Sequence, residues 1–143
     1  MTVRAILSLK GGDVTTIKPT ASLVTAVKVL AEGRIGALVV TDTAEHVAGI
    51  LSERDIVRAL AERGPAALDE SVDQVMTRRV VSCTEAMTVS EVMERMTAGK
   101  FRHLPVIKLG ALVGIVSIGD VVKYRLAAMQ RESQSVRDYI LAS

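Results

Sequence analysis

The sequence is written twice, and that repetition restricts the fold more than any other feature. With the chain shifted by 66 residues, Leu23–Ile35 lies over Val89–Phe101, Leu38 over Leu104 and Val40 over Val106. One residue then drops out. After it, Gly49-Ile50-Leu51-Ser52-Glu53-Arg54-Asp55-Ile56-Val57 lies over Gly114-Ile115-Val116-Ser117-Ile118-Gly119-Asp120-Val121-Val122. Each copy is about 60 residues, a size at which a lone unit struggles to cover its own sheet.

Both copies carry the same periodicities. Val14–Ile17 and Val80–Cys83 are short and β-prone. Apolar residues at helical spacing follow: Leu23, Ala26, Val27 and Leu30, then Val89, Val92, Met93 and Met96. Thr88 with Glu91 predicts a capping box, and Gly33 and Gly99 stand where a left-handed C-cap glycine is expected. Two strands are predicted next in each copy, Ala37–Thr41 with Val47–Leu51 and Leu104–Ile107 with Leu112–Val116. A second helix begins near Ser52 or Ser117; the first is expected to stop at Gly64-Pro65, the second near Gln130. The expected layout is therefore repeat 1 over 1–64, a linker with a short amphipathic piece (Val72, Val75, Met76) over 65–79, repeat 2 over 80–130, and a terminal helix in 131–143. Two β-α-β-β-α repeats give an α+β (α/β) fold, with sheet against sheet in a pseudo-twofold pair and helices outside.

Composition removes several functional classes. Hydrophobic residues are 49% of the 143 and charged ones 24%, which excludes disorder. With no Trp, and only Phe101, Tyr124 and Tyr139 as aromatics, there is no stacking platform for single-stranded nucleic acid. The net charge of +2 is too small to define a polyanion-binding surface. Cys83 is the single cysteine and His46 and His103 the two histidines, so neither a disulfide nor a thiolate or histidine-rich metal site is expected. Lys10-Gly11-Gly12 lacks the Gly-Lys-Ser/Thr end of a phosphate loop, and the Gly110–Gly114 spacing spans a turn and a strand. The methionines at 76, 87, 93 and 96 read as packing residues. No signal-peptide h-region is present at the N-terminus and no apolar run approaches ~18 residues, which predicts a cytoplasmic protein.

The repeated Gly-hydrophobic-x-Ser-x-x-Asp segments ending at Asp55 and Asp120, with Arg102-His103-Leu104-Pro105-Val106 and Val75-Met76-Thr77-Arg78, resemble tandem CBS domains, the family named after cystathionine β-synthase. The resemblance runs from about Val3 to Leu126 and implies a stand-alone CBS pair, or Bateman module. It further implies a ligand containing adenosine, AMP first, with ADP, ATP, NAD or S-adenosylmethionine as alternatives. That ligand is held between the repeats of a regulatory protein that signals to a partner in trans. A homodimer forming a four-repeat disk through the helices is implied as well.

Ser52 with Asp55, and Ser117 with Asp120, admit two readings. Each pair closes a capping box at a helix start. Each also offers an ionised carboxylate to both hydroxyls of a ribose, beside backbone N–H groups that favour a phosphate. Carried over from the family, Ser52 and Asp55 face Val81, Ser82, Phe101, Arg102, His103 and Pro105, with Arg54 assisting. Ser117 and Asp120 face Thr15, Thr16, Ile35, Gly36 and Ala37, with Lys10 as a contributor. Arg102 is a phosphate fork or a solvated surface residue; His103 is a ligand contact or a hydrogen-bonded structural residue. Site Asp55 is therefore expected to prefer phosphorylated ligands. No nucleophile–base pair is evident, a Cys83–His103 pair being disfavoured by the strand position of Cys83, so the chain is not expected to be an enzyme. The competing reading, a nucleic-acid-binding protein, rests on the C-terminal excess of Lys and Arg.

Overall fold

The computed structural model describes residues 1–142. Its elements run α1 (Val3–Lys10), β1 (Thr16–Ile17), α2 (Leu23–Gly33), β2 (Ala37–Thr41), β3 (Val47–Ser52), α3 (Glu53–Arg63), a 3-10 segment (Gly64–Asp69), α4 (Val72–Val75), α5 (Val89–Gly99), β4 (His103–Lys108), β5 (Ala111–Ser117) and α6 (Ile118–Ala142). The chain divides into two compact units. The Asp55 unit comprises Asp13–Val81 with Leu109–Val113; the Asp120 unit comprises Met1–Gly12, Ser82–Lys108 and the chain from Gly114.

In the Asp55 unit, β2 lies between β1, its parallel neighbour, and β3, its antiparallel one. All five β2 residues are buried, as the unbroken apolar run Ala37–Val40 requires of a central strand. Helix α2 buries Leu23, Ala26 and Leu30 and leaves Val27 at its margin, 39% exposed. Val72 and Met76 complete this core, so the segment expected to be a linker is part of it.

In the Asp120 unit, β4 pairs with β5. The strand expected at Val80–Cys83 is reduced to one parallel bridge, Cys83 with Val106, at the place where Ile17 pairs with Val40 in the other copy. Helix α5 buries Val89, Val92 and Met96. Only half of its expected capping box forms: Thr88 Oγ1 accepts from the Glu91 N–H at 3.2 Å, without a return bond from the Glu91 side chain.

Three further expectations differ from the structure. The left-handed cap residues are Arg34 (φ 51°) and Lys100 (φ 58°), one position beyond the glycines. A Cβ at Gly99 would strike the Phe101 ring, whereas one at Gly33 would meet Ile35 at 3.4 Å, close to ordinary contact. Helix α6 runs unbroken through Gln130 and Glu132, since Met129-Gln130-Arg131-Glu132 are all good helix formers and no Gly or Pro follows Gly119.

Residues 1–12, assigned by sequence to repeat 1, pack with repeat 2. Val3 and Ile6 are fully buried there, the Val3 N–H donates to Met87 O (2.9 Å) and the Val89 N–H to Met1 O (2.9 Å). The same bonds recur in the other unit, where the Val72 N–H donates to Ala21 O (2.8 Å) and the Leu23 N–H to Glu70 O (2.9 Å). An offset of 69 residues lays Val72 on Val3 and Met76 on Leu7. Each body is thus completed by the leading segment of the other copy. No helix among the described residues is long and apolar enough to cross a membrane.

Candidate functional site

Each Ser-x-x-Asp segment folds at the mouth of a helix. In the Asp55 unit, β3 ends at Ser52 and α3 begins at Glu53. The Ser52 Oγ accepts from the Asp55 N–H at 3.3 Å, while Asp55 Oδ2 accepts from the Ser52 N–H at 2.9 Å and from Ser52 Oγ at 3.1 Å. The capping reading therefore holds. A residue that sequence reasoning did not single out, Thr77, donates through Oγ1 to Asp55 Oδ1 at 3.3 Å. It is positioned by paired backbone bonds with Ile50, Thr77 N–H to Ile50 O at 2.8 Å and Ile50 N–H to Thr77 O at 3.0 Å. Those bonds need Gly49, because a Cβ there would lie 2.8 Å from the Thr77 carbonyl oxygen.

The start of β2 closes the same corner. Ala37 pairs with Ser52, and the Gly36 carbonyl accepts from the Glu53 N–H at 3.0 Å. Thr15 and Thr16 lie across β2 from β3: the Thr15 carbonyl accepts from the Val39 N–H, and Thr16 pairs with Val39. Ile35, Gly36 and Val81 are half-buried, Ala37 is buried, and Arg54, Thr15 and Thr16 are exposed.

The Asp120 unit repeats the corner with different chemistry. Ser117 Oγ accepts from the Asp120 N–H at 3.0 Å, and Asp120 Oδ2 accepts from the Ser117 N–H at 2.9 Å. The Arg102 carbonyl accepts from the Ile118 N–H at 2.8 Å, as Gly36 does for Glu53. In place of a threonine hydroxyl, the carboxylate meets Lys10 Nζ at 2.6 Å, and that ammonium also donates to the Ile115 carbonyl at 2.8 Å. Burial opposes ionisation of Asp120, but the Lys10 ammonium and the Ser117 N–H outweigh it and hold the carboxyl below the usual carboxylate range.

Of the other expected residues in this unit, Arg102 is exposed, His103 and Phe101 are half-buried, and Pro105 is buried with its carbonyl accepting from the Cys83 N–H at 2.9 Å. Ser82 is half-buried and its carbonyl accepts from Arg95 Nη1 at 2.7 Å. Cys83 is 1% exposed, and burial pushes its thiol up to about 11 against a small opposing pull from Arg95. It is a core residue. Among the described residues no His, Cys, Asp and Glu group is arranged to hold a metal ion.

Each unit thus gathers a capping serine, an acidic side chain and the helix-to-strand corner of its own repeat. The pairings implied by the resemblance draw on both units: Asp55 belongs to one, Ser82, Phe101, Arg102, His103 and Pro105 to the other. Lys10 was flagged for Asp120 from sequence and is bonded to it; Thr77 stood in a motif noted only as a family mark.

Two mixed α/β repeats, each ending a strand in a Ser-x-x-Asp helix mouth, define a tandem-repeat fold, and comparison with known proteins gives its family. The CBS domain family matches residues 3–62 and 72–127, and the chain belongs to it as a tandem pair. Its two matches begin at the segments related by the 69-residue offset. Among solved structures, the CBS-domain containing protein ATU1752 from Agrobacterium tumefaciens superposes with a TM-score of 0.85 at 48% identity, covering 87% of this chain and 92% of that one. The CBS domain pair of protein MJ0100, in complex with 5′-methylthioadenosine and S-adenosyl-L-methionine, superposes at 0.80 with 26% identity over 90% and 98%. The mitochondrial CBS domain-containing protein CBSX3 of Arabidopsis thaliana is 36% identical over 119 residues, 80% of this chain. An uncharacterized 17.7 kDa protein of Acidianus ambivalens is 41% identical over 108 residues, 75% of this chain. The matches span 58% and 64% of those two relatives.

Proposed function

We propose that this CBS pair is a regulatory module that binds an adenosine-containing ligand through its two Ser-x-x-Asp corners. The observation that carries this reading is the duplicated corner itself. In both units a half-buried carboxylate stands beside a helix N-terminus, where acceptor oxygens suit ribose hydroxyls and the first-turn N–H groups suit a phosphate. The ligands named for the MJ0100 pair support the adenosine class.

AMP is the leading candidate, with ATP, NAD and S-adenosylmethionine alongside. The corners differ in charge: Arg102 and His103 flank one and Gly36 and Ala37 the other, so the Arg102 side is assigned the phosphate. The role is regulatory, a reading that membership of the CBS domain family supports. Ligand binding would bias the activity of a protein partner in trans, and the homodimer implied by the family serves that output.

Calorimetric titration with AMP, ATP, NAD and S-adenosylmethionine tests the proposal. Binding of at least one is expected, with Asp55→Asn or Asp120→Asn weakening it tenfold or more and Arg102→Ala weakening phosphorylated ligands more than adenosine. A double-mutant cycle reads which carboxylate shares a ligand with Arg102. Folded variants that bind as well as the parent would overturn the proposal.

A further inference from the structure

The leading segments of the two copies deliver different groups to their corners. By the 69-residue offset Ser8 stands where Thr77 stands, and both carry a hydroxyl. The second segment ends its helix α4 at Val75, and Thr77, paired with Ile50, donates to Asp55 at 3.3 Å. The first segment stays helical as far as Lys10. Ser8 therefore lies inside α1, where its hydroxyl donates back to the Arg4 carbonyl at 2.9 Å. Two residues on, in the last turn, Lys10 reaches Asp120 Oδ2 at 2.6 Å. A second bond, to the Ile115 carbonyl at 2.8 Å, fixes the ammonium against β5.

Exchanging a hydroxyl for an ammonium changes the charge of the corner. The donors to Asp55 from Ser52 and Thr77 are uncharged, and a carboxylate held by them keeps its full negative charge. At Asp120 the ammonium offsets that charge, and the pair is neutral as a unit. Both side chains are less than a quarter exposed, so the field of each is only partly screened.

A ribose seated on the Asp120 carboxylate brings the rest of its ligand close to this ammonium, inside the ~8 Å over which charges act in physiological salt. A phosphate gains there from Lys10 and a sulfonium loses. An uncharged nucleoside gains nothing, and its hydroxyls share the carboxylate with Lys10.

We infer that Lys10 selects ligands by charge at the Asp120 corner, favouring a phosphorylated adenosine over the uncharged nucleoside and over a cationic sulfonium. The inference rests on the adenosine reading proposed above and holds whichever carboxylate shares a ligand with Arg102. The specificity residue is then supplied by α1, from outside the Ser-x-x-Asp segment.

Calorimetry of AMP and adenosine on the full chain carrying Asp55→Asn reads the Asp120 corner by itself. Adding Lys10→Met should weaken AMP about tenfold and leave adenosine unchanged or up to about threefold tighter. Lys10→Arg should keep the preference for AMP, since the charge is retained. At the other corner, Thr77→Val in a chain carrying Asp120→Asn should move the AMP-to-adenosine ratio by less than about twofold, because no charge is removed. Without any change at Lys10, S-adenosylmethionine should bind the Asp55→Asn chain about tenfold more weakly than AMP. Equal losses of AMP and adenosine in Lys10→Met would make Lys10 a structural support and overturn the inference, as would an unchanged ratio. S-adenosylmethionine binding as tightly as AMP, or no binding at all once Asp55 is replaced, would overturn it too. A parent chain that binds none of the three refutes the adenosine reading itself, and this inference with it.

Discussion

Replacing Lys10 by Met isolates one interaction at the Asp120 corner. The methionine keeps most of the aliphatic stem and removes two charge-assisted bonds, to Asp120 Oδ2 at 2.6 Å and to the Ile115 carbonyl at 2.8 Å. The Lys10 and Asp120 side chains are only 23% and 20% exposed, so solvent screens the pair less than an open surface pair. Hydrogen bonds to charged groups contribute about 1.5–3 kcal/mol each, and Asp120 retains the Ser117 N–H. Water will reach part of the vacated site, so the expected loss at neutral pH is about 2 kcal/mol, or about 5 °C in Tm. The pH dependence is the sharper test. In the unfolded chain this carboxyl titrates near 3.8, and in the fold below it. The pair's contribution is therefore complete above the unfolded value and fades as pH falls through the lower folded one. Thermal unfolding of parent and variant should differ by a constant amount from about pH 5 to 8, and the gap should narrow as pH falls below 3.8, leaving the part due to the Ile115 carbonyl bond. Equal Tm at pH 7, or a gap that does not narrow in acid, would refute this account of the corner.

Two other predictions concern packing. Gly49→Ala would place a Cβ 2.7 Å from Met76 Sδ and 2.8 Å from the Thr77 carbonyl, which its bonds to Ile50 hold in place, so a loss of about 2–3 kcal/mol is expected in urea unfolding. At the equivalent Gly114→Ala the nearest atom is the Leu7 Cδ2 methyl at 2.7 Å, which can turn aside, and a loss of under about 1 kcal/mol is expected. Equal losses would contradict the distinction. Cys83, with its thiol pushed up to about 11, should react with a thiol reagent at pH 8 at least about a hundredfold more slowly in the native protein than in denaturant. Rapid native labelling would contradict its burial.

Helices α2 and α5 were legible because their apolar spacing survives burial on one side, and β2 because an unbroken apolar run between turns suits a central strand. The strand expected at Val80–Cys83 was over-read. β-propensity marks which residues tolerate extension, whereas pairing depends on a neighbour, and only Cys83 bridges one. The left-handed residue was placed one position early because a glycine at a helix end looks like the cap even where the next residue, here Arg34 or Lys100, takes the positive φ. At the candidate site the capping pairs were visible, being three residues apart. Thr77 was not, since its contact with Asp55 lies 22 residues away and follows from the backbone pairing with Ile50. The leading segments escaped notice because their kinship, Val3 with Val72 and Leu7 with Met76, preserves apolar character at four-residue spacing but little else.

The placement of α1 has a consequence for biosynthesis. It is synthesised before its partners: Glu85, which pairs with Arg4, follows 81 residues later, and Asp120, which takes Lys10, 110 residues later. At about 5–20 residues per second, Val3 and Ile6 wait on the order of ten seconds with nowhere to hide. A helix made before its docking surface is seated only after it, so a chain stalled between the two carries Val3 and Ile6 as an unburied adhesive stripe.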